Sequence, residues 1–196
     1  MSTRRVEAFS DGVFAIAITL LILTIEPPNS GEQLGHELLR LWPSYLAYAV
    51  SFLTIGIMWV NHHTVFTQID RVDRTFLFIN VGLMLLVAFV PFPTRLVAEN
   101  LRGSGAEAAA LTYGITLTIT AGLFSALWFY PATGRRLLRE DADPKVVSGI
   151  SRSYLVGLWM YPAATLVALA SPRVSVALYG AIAAFFVLES SLFGRE

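Results

Sequence analysis

The 196-residue chain has no cysteine, and only 14% of its residues are charged against 55% that are apolar. Without cysteine there is no disulfide framework, no thiolate metal site and no cysteine nucleophile. Charge is too scarce for a water-soluble surface, and a mean hydropathy of +0.62 places the chain among membrane proteins. Lys plus Arg equals Asp plus Glu at 14 each, so there is no charge excess to hold nucleic acid, and no nucleic-acid partner is expected. Enzyme constellations are missing as well. There is no nucleophile elbow, no phosphate-cradling glycine loop, no His-Glu-x-x-His and no carboxylate pair at helical spacing deep in an apolar run, so no enzyme and no cofactor are expected. Nor is there a Thr-Val-Gly-Tyr-Gly potassium filter; Thr112-Tyr113-Gly114 is too short a likeness.

Long apolar runs are what the chain does have. A helical span needs about 20 residues, so 196 residues hold six spans but not ten. The expected fold class is an all-α membrane protein, one six-helix transmembrane domain over 1–196, with spans about 6–26, 42–66, 75–98, 108–130, 153–170 and 174–193. Glu26-Pro27-Pro28 ends the first run, because two prolines remove donors and forbid continuation. Pro91 and Pro93 lie inside the third run and predict a kink or an early end. Ser171-Pro172-Arg173 leaves room only for a tight hairpin between the last two. Gly114, Gly122 and Gly180 with Ala183 and Ala184 read as close-packing residues of membrane helices. Arg4 and Arg5 before an apolar run resemble a signal peptide, but no small-x-small cleavage pattern follows Leu23, and the segment reads as a retained first helix. With six spans, one side of the membrane receives ten of the fourteen Lys and Arg residues and the other only Arg40, Arg95, Arg102 and Arg173. That bias predicts both termini in the cytoplasm.

The first helix carries the most information. At 100° per residue, Phe9, Ile16, Leu20 and Leu23 share a narrow stripe with Thr19 on its flank, while Asp11 lies opposite Ile16. By spacing alone this stripe is packing or lipid contact. Arg5, Ser10 and Asp11 sit near the cytoplasmic end, and polar groups inside a span face protein or water and are paired. Arg5 and Asp11 are about 120° apart on the helix and pair poorly with each other, so their partners are expected on other helices, with Asn61, His62, His63 and Asn80 at the same depth. Adjacent His62 and His63 point about 100° apart and cannot chelate one metal ion, so no metal site is expected.

Arg5-Val6-Glu7-Ala8-Phe9-Ser10-Asp11, at the start of the first of six spans, matches the Arg-x-x-x-Phe-Ser-Asp motif and so resembles the transmembrane protein 175 family of potassium channels. The family's six-helix repeat would cover nearly the whole chain, and a single repeat is the prokaryotic form. The resemblance implies a potassium-selective, homotetrameric channel in a prokaryotic plasma membrane, its pore lined by four first helices, with potassium, membrane lipid and other copies of the chain as its partners. In place of a carbonyl filter it implies a hydrophobic constriction or gate at Ile16, Leu20 and Leu23, a polar ion-coordinating layer at Thr19, and Phe9 along the path. Arg5, Phe9, Ser10 and Asp11, with His62 and His63, would position the pore helix. Four Glu26 carboxylates at the outer mouth would attract cations. Two other readings of the same residues are a proton-linked secondary transporter using Asp11 and His62/His63, and a non-conducting membrane scaffold.

Overall fold

The computed structural model describes residues 3–28 and 33–193, with side chains through 188. Both chain ends, for which the charge bias predicts a cytoplasmic location, lie outside the described residues, as does 29–32 of the first polar connection. Among the described residues the chain is helical, its only sheet-like pairing an isolated antiparallel bridge between Ile69 and Leu138.

Helix α1 covers Thr3–Leu20 and tightens into a 3-10 turn at Leu21–Thr24 before Pro27 and Pro28. The connection that follows contains a short helix, α2 (Leu34–Arg40), between the first two predicted spans. Helix α3 runs Trp42–Thr67 with proline in its first turn, where a missing N–H costs nothing. The predicted third span is two helices, α4 (Arg74–Phe89) and α5 (Pro91–Asn100), meeting at Val90. Pro91 cannot donate to the Val87 carbonyl, and the Val90 N–H approaches that carbonyl at 3.3 Å instead. Helices α6 (Ala106–Ala132), α7 (Pro144–Val167) and α8 (Pro172–Phe193) complete the chain. Helix α7 begins at Pro144 and not at 153, because the Asp143 side chain caps it by accepting the Lys145 N–H at 2.7 Å and proline fits its first position.

Among the described residues, four helical stretches are long and apolar enough to cross a membrane: Thr3–Thr24, Trp42–Thr67, Arg74–Asn100 and Ala106–Arg135. Helix α6 is central, packed against α4, α5, α7 and α8, while α1 lies against α3, α4 and α5. The close approach at α6 depends on Gly114, where an added Cβ would stand 2.0 Å from the Tyr179 hydroxyl and 2.4 Å from Thr165 Oγ1. Gly180 packs against Val50, whereas Gly122 faces open space within its own chain.

Buried hydroxyls are hydrogen-bonded, as a low-dielectric core requires, and some are paired across helices. Ser51 Oγ lies 2.7 Å from Thr94 Oγ1 and 2.9 Å from the Tyr113 hydroxyl, joining α3, α5 and α6. At the opposite end of the bundle, the Asp70 N–H donates to Leu137 and the Arg139 N–H to Gln68, so the long connection after α6 is pinned to the α3–α4 turn. Asp73 caps α4 there, accepting the Phe76 N–H at 2.9 Å and the Tyr130 hydroxyl at 2.6 Å.

Candidate functional site

Two faces of α1 divide its residues. Val6, Ser10, Phe14, Ala17, Leu21 and Thr24 are buried against the rest of the bundle. Phe9, Ile16, Leu20 and Leu23 are exposed on the other side, Ile16 at 62% beside a fully packed Ala17 at 1%. Leu23 falls in the 3-10 turn and not in the α-helix, yet it stays in line with Leu20, because residues three apart eclipse in a 3-10 helix. The change of helix type thus keeps the last two leucines of the stripe in register.

Thr19 is exposed on the flank of that stripe. Its hydroxyl donates to the Ala15 and Ile16 carbonyls, 2.9 Å from each. With its proton turned inward to the backbone, the oxygen presents lone pairs outward, the arrangement that suits a cation.

Behind the stripe stands a polar network with two layers. In the buried layer, Ser10 Oγ donates to the Val6 carbonyl at 2.9 Å and accepts from Asn80 Nδ2 at 3.0 Å, while Asn80 Oδ1 meets His62 Nε2 at 2.9 Å. Since the Asn80 amide nitrogen is the donor to Ser10, its oxygen accepts, and the proton on His62 sits on Nε2. His62 Nδ1 then has no hydrogen-bond partner among the described residues. The imidazole is stacked on Phe66 at 4.5 Å and meets Phe14 edge-on at 5.4 Å. These contacts bind α1, α3 and α4 together at one depth.

The outer layer joins α1 to α3 alone. Trp59 Nε1 donates to an Asp11 carboxylate oxygen at 2.9 Å, and His63 Nδ1 meets Glu7 Oε1 at 2.9 Å. Neither histidine bonds Arg5 or Asp11. Arg5 is exposed and has no partner among the described residues, and Phe9 turns away from the network at 58% exposure, so the cluster comprises Ser10, Asp11, His62 and His63 without them. Glu7, Trp59 and Asn80 complete it. Glu7 and Trp59 were missed as partners in the sequence, although a signal was present: Glu7 to Asp11 and Trp59 to His63 are both steps of four on antiparallel helices, and residues four apart share a face.

At the far end of α1, Glu26 is ion-paired with Arg95, which also holds Glu99 at 2.6 Å. The carboxylate predicted to act as a bare charge therefore belongs to a cluster of two acids and one base. No group of three or more His, Asp or Glu close enough to hold a metal ion occurs among the described residues.

The sequence pattern of the family described as "Endosomal/lysosomal potassium channel TMEM175" matches residues 5–91, which contain all but the first two residues of α1, its network and the α4–α5 joint. A potassium channel of Chamaesiphon minutus is 46% identical over 194 residues, covering 96% of this chain and 95% of that protein. A potassium channel of Streptomyces collinus is 43% identical over 185 residues, covering 93% and 90%. The crystal structure of a lysosomal potassium-selective channel TMEM175 homolog from Chamaesiphon minutus superposes with a TM-score of 0.88 at 42% identity, covering 96% of this chain and 97% of that one.

Proposed function

The chain belongs to the transmembrane protein 175 family, a family of ion channels and not of enzymes, and from that membership we propose that it is a homotetrameric, potassium-selective channel. Its setting is a prokaryotic plasma membrane, crossed six times by one domain with both termini cytoplasmic, and it needs no cofactor beyond the permeant potassium ion. One helix cannot enclose a path, and four copies of α1 around a rotation axis close a ring naturally.

The observation that carries the reading is the two-faced α1. An apolar stripe left exposed within its own chain is held in orientation from behind by Ser10 and Asp11. In the tetramer, rings of Ile16, Leu20 and Leu23 form the constriction, which gates by dewetting: modest widening admits water and ions without moving any charge. Four Thr19 oxygens next to Ile16 replace part of the potassium hydration shell. Glu26, tempered by Arg95, leaves one net negative charge per subunit in the outer cluster and draws cations to the mouth.

The deciding experiment is a recording from purified protein in liposomes with potassium on one side and sodium on the other. A reversal potential displaced toward the potassium equilibrium value is expected. Slow, saturating flux that requires a proton gradient would establish the carrier reading, and silence from well-folded tetramers the scaffold reading.

A further inference from the structure

The basic connection between α6 and α7 does not use its cations uniformly. Arg135 donates to the Ala142 carbonyl at 3.2 Å, Arg139 engages both oxygens of Asp141 at 3.0 and 3.2 Å, and the Arg136 guanidinium lies over the Tyr130 ring at 5.4 Å. Lys145 and Arg152 are different. Both are exposed, and neither side chain has a partner among the described residues. Together with Pro144, Ser148 and Gly149 they line an open pocket at the start of α7.

The spacing 145, 148, 149, 152 puts these residues on one face of the helix, with about 10 Å along the axis between the two cations. At Gly149 an added Cβ would meet nothing within 4 Å, so the centre of the pocket is bare backbone with cations above and below. The same face continues as Leu155, Val156 and Trp159, exposed at 50%, 41% and 74%, and then as Ala163 and Leu166. All lie within an arc of about 120°. The face is turned away from α6 and α8, the helices against which α7 packs.

We infer that this face binds an anionic phospholipid of the cytoplasmic leaflet, its phosphate between Lys145 and Arg152 and its acyl chains along Leu155, Val156 and Trp159. The inference rests on the six-span reading, in which the Pro144 end of α7 meets the cytoplasm. Arg152 offers a planar fork to the phosphate oxygens, Lys145 a mobile point charge and Ser148 a hydroxyl donor. The nearest acids do not compete: Asp141 is held by Arg139, and Asp143 spends an oxygen capping α7. A free phosphate would use the cations but not the apolar stripe that runs on from them; a lipid uses both, and the negative inner leaflet supplies it.

The test compares purified oligomer in phosphatidylcholine nanodiscs with and without phosphatidylglycerol, reading retained lipid by native mass spectrometry and the thermal unfolding midpoint. The variants are the double substitution Lys145→Gln/Arg152→Gln and, separately, Gly149→Leu, which fills the pocket without meeting protein. Wild type should retain phosphatidylglycerol and unfold several degrees higher with it. Both variants should lose the retained lipid and that gain; in phosphatidylcholine alone the double variant should keep the wild-type midpoint and Gly149→Leu should not fall below it, since replacing an exposed helical glycine does not weaken the helix. Variants that retain phosphatidylglycerol as wild type does overturn the inference. So does an equal gain for wild type from inorganic phosphate in phosphatidylcholine, which would make the ligand a soluble anion. Potassium flux recorded in phosphatidylcholine vesicles keeps the two readings apart: loss of wild-type flux with lipid retention intact counts against the channel, and the reverse counts against the lipid site.

Discussion

The indole of Trp59 on α3 donates to the Asp11 carboxylate on α1 at 2.9 Å, and one turn along both helices His63 meets Glu7 at the same distance. Two contacts at matched four-residue steps fix both the height and the rotation of α1, which a single contact would not. The rotation decides which residues face away from the subunit.

Trp59→Phe keeps an aromatic side chain, smaller than the indole, and removes the N–H donor to Asp11. Loss of a hydrogen bond to a charged group at this part-exposed site should lower stability by about 1 kcal/mol, read as a fall in the unfolding midpoint in detergent. The same variant should broaden the distribution of open-channel currents, because α1 loses one of its two outer-layer contacts to α3.

Asn80→Leu strands the His62 Nε2–H, which is buried, and removes the donor to Ser10. An unsatisfied buried polar group costs about 1–3 kcal/mol, so the variant should unfold earlier than Trp59→Phe. The reverse order in a melting series would contradict the assignment of the buried layer as the stronger anchor.

Ile16→Ala widens one of the proposed constriction rings while leaving the packed face of α1 untouched, since Ile16 is 62% exposed within its own chain. Fold and melting midpoint should be unchanged. Potassium flux in liposomes should rise and preference over sodium fall; a flux and preference equal to wild type would remove Ile16 from the constriction.

Arg95 and Glu26 should act in opposite directions at the outer mouth. Arg95→Gln frees Glu26 and Glu99 and should increase potassium conductance at low ionic strength, whereas Glu26→Gln should decrease it. Both effects should fade in high salt, where the Debye length shrinks to about 3 Å at 1 M.

Asp73 supplies a pH dependence outside the membrane-spanning helices. The Phe76 N–H, then the Tyr130 hydroxyl, hold its carboxyl below the ordinary carboxylate value. A depressed native value stabilises the fold at pH above the unfolded value and loses that stabilisation as pH falls through the native one. Asp73→Ala should therefore cost about 1 kcal/mol at neutral pH through the lost cap. The gap between variant and wild-type melting points should close as pH drops below about 4, since the unperturbed carboxyl titrates near 3.9.

Much of this was legible in one dimension. The prolines at 27 and 28 end α1, and those at 91 and 93 interrupt the third apolar run, because a missing N–H acts locally whatever the tertiary context. The fifth predicted span, α7, is a different case. Hydropathy begins at 153, but the cap at Asp143 starts the helix at Pro144, since a helix boundary is decided by backbone hydrogen bonding and not by apolarity. The 3-10 turn at Leu21–Thr24 and helix α2 carried no comparable signal.

The candidate site divides along the same line. That Ile16, Leu20 and Leu23 share a stripe follows from helical periodicity, and that Ser10 and Asp11 need partners follows from the cost of polar groups in an apolar medium. Which partners they find does not follow. Ser10 reaches His62 only through Asn80, Asp11 takes Trp59, and His63 takes Glu7 while Arg5 stays outside. A helical wheel fixes angles within one helix, whereas these pairings depend on the separation, height and rotation of three helices at once. Membrane class, the helix ends set by proline and the apolar stripe were thus determined by the order of residues. The wiring that holds the stripe outward, and the two cations left unpaired on α7, were decided by packing, where each side chain competes for every partner within reach.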